Sequence, residues 1–319
     1  MTKKFKEAAA LWKTEKRPAV RPSSYAAYVT ILNTYLLPAF GDCRKISEER
    51  LHAFAAHLSE RRLRPATVRS IFLVLKMITR FAESRCGWEH TTWGRLPAAG
   101  DDGGPRRPGL FTPAQERRLL EYLRGNCTPE GTGILIGLCT GMRIGEICGL
   151  TWEDVDLQRR LLNVGRTVQR LYLRDGEERL CGVVTGPPKS PSSRRQVPIA
   201  AELLPRLRAL KRLFPAGTYV LSGTPEPMEP RTLRQRYYRI LEGLNLPPVR
   251  FHGLRHSFAT RCVESRCDYK TLSAILGHSG IGTTMNLYVH PDEAAKRRCI
   301  DRMVRRLGLP EEGLGETGD

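Results

Sequence analysis

Four short segments of the chain place basic, imidazole and phenol side chains beside glycine or proline. Guanidinium groups bind phosphate oxygens through paired N–H donors, imidazole moves protons near neutral pH, and a phenol can act as a nucleophile. Taken singly, each segment also fits a surface arginine, a loop lysine, a half-buried histidine or a core tyrosine. The segments are residues 140–146 (TGMRIGE), 188–190 (PKS), 252–256 (HGLRH) and 276–278 (LGH), the last with Tyr288 ten residues after its histidine.

The order and spacing of these segments resemble the signature of the tyrosine recombinase (phage integrase) family. That signature is an arginine in T-G-x-R-x-x-E, a lysine in a β-hairpin, an H-x-x-R pair, a G-H pair and a tyrosine about ten residues later. The resemblance covers residues 112–300. Within the family the chain looks most like the integrases of conjugative transposons, because an extended hairpin is predicted between Arg166 and Lys189. The N-terminal third matches the family's core-DNA-binding domain by helical pattern alone.

The resemblance implies cleavage of a DNA strand through a 3′-phosphotyrosyl intermediate, with a free 5′-hydroxyl as the other product. The arginines would neutralise the phosphate, and the lysine would protonate the leaving oxygen. Replacing either arginine by alanine is expected to slow cleavage severely without loss of the fold. The implied catalytic residues are Tyr288 as nucleophile, Arg143, Arg255, Lys189, His252 and His278. Glu146 and His256 are expected to support them; a purely structural role is as plausible for Glu146 and more plausible for His256.

The overall charge favours a polyanionic partner. The 319 residues carry 52 Lys and Arg against 33 Asp and Glu, which gives a net charge of +19. A hydrophobic share of 40% and a mean hydropathy of −0.37 are ordinary for a globular protein, and no apolar run approaches the roughly 18 residues of a membrane span. The excess of positive charge therefore favours nucleic acid first and an anionic membrane surface second. The family resemblance implies double-stranded DNA as the partner and no membrane contact.

Cofactors, metals and disulfides are not expected. His252 and His256 have the i, i+4 spacing of zinc ligands, but the glutamate of a metalloprotease motif is missing and Arg255 would repel a cation. No glycine-rich nucleotide fingerprint is present. The nine cysteines include no C-x-x-C pair, which favours reduced thiols and a cytosolic location. The family resemblance implies that this is the bacterial cytosol.

Hydrophobic periodicity predicts a mainly α protein with a small antiparallel β-sheet. The family resemblance implies that its two domains form a DNA clamp. A helical core-DNA-binding (SAM-like) domain is expected over residues 1–96, a linker over 97–110 and a catalytic domain over 111–319. Helices are expected to begin after Ser23–Ser24, after Ser47, at Pro65 and after Thr112. Strands are expected at 161–164, 168–173, 180–184 and 196–199.

Three surface features have two interpretations each. Arg61, Arg62, Arg64 and Arg69 could contact DNA phosphates or form a solvated basic face. The hairpin over about 166–189 could pack against a neighbouring protomer or DNA, or could be a surface decoration. An amphipathic helix over about 292–308 could pack on its own domain or, as in the family, dock onto the next protomer of a cyclic homotetramer.

The sequence thus predicts a site-specific recombinase that integrates and excises a mobile element. Three alternatives stay open: a resolvase of chromosome dimers, a type IB topoisomerase-like enzyme, and a catalytically silent DNA-binding homologue. The DNA target, the oligomeric state without DNA, accessory excision or host DNA-bending factors, and the removal of an N-terminal arm-binding domain are not determined by the sequence.

Overall fold

The computed structural model describes residues 2–94, 109–176, 178–188 and 190–277. Within them the chain is mainly helical with small antiparallel sheets, as predicted. Lys189, His278, Tyr288 and the docking helix predicted over 292–308 lie outside the described residues, as does nearly all of the predicted linker.

The N-terminal helices enclose one hydrophobic core, in which Phe5, Trp12, Leu51 and Ile78 are buried. They are α1 (Phe5–Ala19), α2 (Pro22–Ile31), α3 (Leu37–Phe40), α4 (Glu48–Glu60) and α5 (Pro65–Arg85), with a π-helical turn over Leu32–Leu36 that links α2 to α3. Although the sequence analysis did not predict α1, this helix contributes four buried side chains.

Helix starts in this region follow capping chemistry, with one correction. The Ser47 hydroxyl accepts a hydrogen bond from the Arg50 amide at 3.3 Å, and α5 begins with Pro65 in its first turn, as predicted. The predicted start after Ser23–Ser24 is wrong, because α2 already begins at Pro22 with Arg21 as its N-cap. Proline has a φ near the helical value, and it lacks an N–H group, which in the first turn would have no partner within the helix. Pro22 therefore starts the helix ahead of the two serines.

The second group of elements surrounds a separate core, in which Leu119, Ile134, Leu162 and Tyr237 are buried. Its helices are α6 (Pro113–Gly125), α7 (Pro129–Thr140), α8 (Ile144–Cys148), α9 (Leu204–Leu213), α10 (Pro230–Gly243), α11 (Phe251–Glu264) and α12 (Tyr269–Leu276). The predicted cap at Thr112 is confirmed as a capping box with Gln115.

Five strands accompany these helices within the described residues. They are β1 (Val155–Asp156), β2 (Leu161–Val164), β3 (Thr167–Asp175), β4 (Glu178–Gly186) and β5 (Arg195–Pro198). Strands β1, β2 and β5 form one antiparallel sheet, and β3 and β4 form a long hairpin in which Thr167 pairs with Gly186 and Asp175 pairs with Glu178. The prediction placed both hairpin strands correctly but too short.

The tip of the hairpin packs against α1 and α2 of the same chain, and we call this region the hairpin contact. Leu173 is buried with Tyr25, Ala26 and Val29. Polar contacts surround this apolar patch: Asp175 with Lys13 and with the Tyr25 hydroxyl, Arg17 with Glu178, and the Asn33 amide with the Arg174 carbonyl. The hairpin therefore contacts the chain's own N-terminal helices. Its packing against a neighbouring protomer or DNA, or its role as a surface decoration, stays a prediction.

Candidate active site

Arg143 lies in the short connection between α7 and α8. Helix α7 ends at Thr140, and its C-cap is Gly141, which has the left-handed φ of 63° that favours glycine. Arg143 is the N-cap of α8. Gly145 lets α8 approach the hairpin, because a Cβ there would lie 2.5 Å from the carbonyl oxygen of Val168. The Arg143 side chain is 38% exposed and therefore accessible to a ligand.

The Glu146 carboxylate forms hydrogen bonds with Arg143 and with Arg195, a residue that no sequence motif indicated. The carboxylate accepts from the Arg143 amide at 3.0 Å and from the Arg143 guanidinium at 2.8 Å. Arg195 donates to both oxygens of the same carboxylate, at 3.2 and 2.9 Å. Burial alone would raise the pKa of Glu146, but the hydrogen bonds and charge of Arg195, assisted by Arg143, keep that pKa below its ordinary value.

Arg255 connects two of the sequence segments from inside the fold. It lies on α11, is 2% exposed, and donates to the carbonyl oxygens of Gly141 at 2.9 Å and Leu276 at 2.7 Å. Gly141 lies two residues before Arg143, and Leu276 begins the L-G-H segment. Since removal of Arg255 would leave two inward-facing carbonyls without this donor, the structure argues against the expectation that its replacement leaves the fold unaffected.

The two histidines of the H-x-x-R-H segment lie on one face of α11, with ring centroids 4.9 Å apart and the rings nearly perpendicular. Desolvation lowers the pKa of His252 to about 4, and the neighbouring His256 and the charges of Arg255 and Arg143 act in the same direction. Desolvation and Arg255 also lower the pKa of His256. His252 is therefore a neutral imidazole at pH 7, able both to donate and to accept a hydrogen bond.

A cavity of about 990 Å³ opens beside Arg143 and Glu146. Residues on both sides of Lys189, namely Pro188 and Ser190, line it, and so does Gly277, which precedes His278. From the N-terminal helices the cavity receives the start of α2, where the Arg21 guanidinium donates to the Pro188 carbonyl at 2.8 Å. Three of the segments recognised in the sequence thus contribute to one cavity.

The basic cluster predicted to contact DNA does not line this cavity. Arg61, Arg62, Arg64 and Arg69 are exposed around the end of α4 and the start of α5, and Arg61 stacks over the Tyr35 ring at 5.4 Å. The arginine of the N-terminal helices that lines the cavity is Arg21. The one feature of the sequence that marks this residue is its position before Pro22, which starts α2. The DNA-binding role of the cluster stays a prediction.

Within the described ranges, no group of three His, Cys, Asp or Glu side chains has the geometry of a metal site, and the cysteines are free thiols. The same ranges contain no helix that combines the length and apolar character needed to cross a bilayer.

Comparison with known proteins identifies the family. Residues 110–295 match the phage integrase family, and residues 4–59 match the N-terminal SAM-like domain of phage integrases. The chain belongs to the phage integrase family.

Several curated relatives are similar over part of their length. A tyrosine recombinase XerC-like protein of Caldanaerobacter subterraneus is 28% identical over 60% of this chain and 53% of its own length. The transposase of transposon Tn916 from Enterococcus faecalis is 31% identical over 60% of this chain and 49% of its own. The ICEBs1 integrase of Bacillus subtilis is 24% identical over 89% of this chain and 78% of its own. The chain thus spans about half the length of the first two relatives.

Solved structures confirm the fold. The Tn1549 transposon integrase in complex with a circular intermediate DNA superposes with a TM-score of 0.75 at 23% identity, covering 94% of this chain and 99% of that one. A lambda integrase tetramer bound to a Holliday junction gives a TM-score of 0.64 at 14% identity, covering 90% of this chain and 78% of that one.

Proposed function

We propose that the protein is a site-specific DNA recombinase that cuts and rejoins strands through a 3′-phosphotyrosyl bond, for integration and excision of a mobile element. The observation that carries the proposal is the convergence of separate segments: Arg255 ties residue 141 to residue 276, and Arg143 and Gly277 line one cavity. Family membership supports this chemistry, and the net charge of +19 supports DNA as the partner.

In the proposed reaction, the Tyr288 oxygen forms a bond to phosphorus as the bond from phosphorus to the 5′-oxygen breaks. The phenol gives its proton to the neutral imidazole of His252, directly or through water, and Lys189 gives a proton to the departing oxygen. Arg143 would bind the non-bridging oxygens, since its guanidinium is the accessible member of its ion-pair network. The new ester retains the energy of the broken bond, so another 5′-hydroxyl can reverse the step without ATP.

His252 fits a role that begins when DNA binds. Its low pKa reflects desolvation and nearby positive charge, so the imidazole is neutral in the free protein. A phosphate at Arg143 would bring negative charge into the same region and raise that pKa toward neutrality. The imidazole would then be able to exchange a proton during strand transfer.

The assembly is also part of the proposal. We propose that protomers form a homotetramer on DNA, with the C-terminal helix exchanged between neighbours, in the bacterial cytosol. The lambda integrase neighbour is a tetramer bound to a Holliday junction, which supports a tetramer on DNA. Accessory excision or host DNA-bending factors would join the complex where the element needs them.

The test uses nicked duplexes tiled across the DNA that flanks the protein's own gene. A nick near the cleavage point releases the short 5′-hydroxyl strand, so a reacted protein stays attached to DNA and is detected as an adduct that survives SDS. We expect the adduct with the wild type and none with Tyr288→Phe, while DNA binding by Tyr288→Phe stays within about twofold because only a hydroxyl is lost. Tyr269→Phe, the same change at the start of α12, should behave as the wild type.

Two outcomes would contradict the proposal. A Tyr288→Phe adduct would reject Tyr288 as the nucleophile. DNA binding without any wild-type adduct on the whole tile set would favour the catalytically silent homologue instead.

A resolvase of chromosome dimers is the second candidate, favoured by the XerC-like relative. The nine-residue strands of the hairpin and the similarity to the Tn916 transposase support the mobile-element reading. Recombination assays separate the two: excision of a circle bounded by the element's ends supports an integrase, whereas dimer resolution at one chromosomal site supports a resolvase.

A further inference from the structure

We propose that Arg195 is a positioning residue for strand cleavage, which it serves by holding Glu146 and leaving the charge of Arg143 available to DNA. This inference rests on the proposed function and extends its active site by one residue. Arg195 is the first residue of β5, and its side chain is only 6% exposed. An arginine so deeply buried is retained only where its N–H donors are bonded.

The donors of Arg195 reach three separate parts of the fold. Besides the two bonds to Glu146, Nε donates to the carbonyl oxygen of Ile275 at 2.5 Å and Nη1 to that of Ser193 at 3.0 Å. Ile275 lies in the last turn of α12, and Ser193 ends the turn before β5. Close packing completes the arrangement, because a Cβ at Gly277 would lie 2.9 Å from the Arg195 Cδ. One side chain therefore fixes α8, α12 and β5 relative to each other.

The charges explain why a second arginine is needed. Glu146 is 3% exposed and bonded to Arg143, and that pair alone would carry no net charge. With Arg195 the group of three carries a net charge of +1. The exposed member is Arg143, so this charge is presented to the cavity. Because Arg195 balances the negative charge of Glu146, a phosphate that approaches Arg143 is repelled less by that carboxylate. This favours the negative charge that develops on the phosphate during cleavage.

The experiment compares adduct formation on nicked DNA by the wild type, Arg195→Gln, Arg195→Lys, Glu146→Gln and the Glu146→Gln/Arg195→Gln double variant. Rates are measured in single turnover at saturating DNA and divided by the folded fraction from circular dichroism. We expect Arg195→Gln to slow the reaction about 100-fold, as misplacement of a reacting group does. Arg195→Lys should recover part of this loss, because it keeps the charge.

Two controls distinguish positioning from general stability. Arg194→Gln removes the same charge from the exposed neighbouring residue and should leave the rate per folded molecule unchanged. If Arg195 acts through Glu146, the double variant should be no slower than the slower single variant, since the two changes disrupt one interaction. A role confined to stability would change the folded fraction of Arg195→Gln and Arg195→Lys but not their rates.

The outcomes separate this inference from the function on which it rests. Wild-type adduct formation with an unchanged rate for Arg195→Gln, or with single losses that multiply in the double variant, would overturn the inference alone. If Arg195→Gln does not fold, an unchanged rate for Arg195→Lys would do the same. Absence of adduct from the wild type would overturn both.

Discussion

Opening of the hairpin contact can be measured, and the structure gives its expected size. Asp175 accepts from Lys13 and from the Tyr25 hydroxyl, and the side chains of the ion pair are 14% and 24% exposed. Exposed ion pairs contribute about 0–1 kcal/mol, and breaking a buried pair costs about 3–5 kcal/mol. For this partly buried pair with its added hydrogen bond, we expect Asp175→Ala to favour opening by about 2 kcal/mol, which is about 30-fold in the opening equilibrium.

A buried thiol can report this opening. Val29 is fully buried beside Leu173, so a Val29→Cys background reacts with a thiol reagent when the contact opens. Peptide mass spectrometry separates this site from the native cysteines, and Cys43 in the N-terminal core serves as an internal reference. We expect Asp175→Ala to raise labelling of residue 29 by about 30-fold and to leave Cys43 unchanged.

The matched control lies in the same contact. Glu178 pairs with Arg17 across side chains that are 43% and 56% exposed, so Glu178→Ala should raise the labelling at most about fivefold. Equal effects of the Asp175 and Glu178 substitutions would refute the burial argument. A parallel rise at Cys43 would show that the N-terminal helices unfold as a whole, rather than that the contact opens.

Two further predictions concern the site itself. Gly145→Ala should lower the free energy of unfolding, measured by urea titration, by about 1–3 kcal/mol, because the added Cβ would meet a backbone oxygen of β3. Gly165→Ala, where a Cβ would meet open space, should change it by no more than about 0.5 kcal/mol. Equal urea midpoints for the two variants would contradict this packing. The pKa of His252 is about 4 in the folded protein, against 6.5 for an unperturbed imidazole. Between these values the unfolded chain binds more protons than the folded one. The free energy of unfolding should therefore fall as the pH drops from about 6.5 to about 4. His252→Gln should lose less stability over that window, and an imidazole that titrates at 6.5 or above by NMR in the free protein would contradict the expectation.

Local chemistry was predictable from the sequence. Pro65 and Thr112 mark helix starts because the signal is contained in one or two residues, and the strand at 161–164 follows from its composition. The T-G-x-R-x-x-E spacing places Glu146 one helical turn from Arg143, where the structure has it.

Contacts between distant residues were not predictable in the same way. Arg195 reaches Glu146 across 49 positions, and no periodicity connects them. The hairpin contact joins Tyr25 to Asp175 across 150 positions, so neither strand pattern nor charge count could show which surface the hairpin covers. Such pairings depend on how the separate elements pack, which requires the whole fold.

The burial of Arg255 has a consequence for natural variation in this protein. One guanidinium belongs to the predicted reaction and also joins the end of α7 to the end of α12, so any replacement changes both together. Selection therefore cannot relax the chemistry at this position while keeping the architecture. An inactive descendant that still folds should lose its accessible groups first and keep Arg255 the longest.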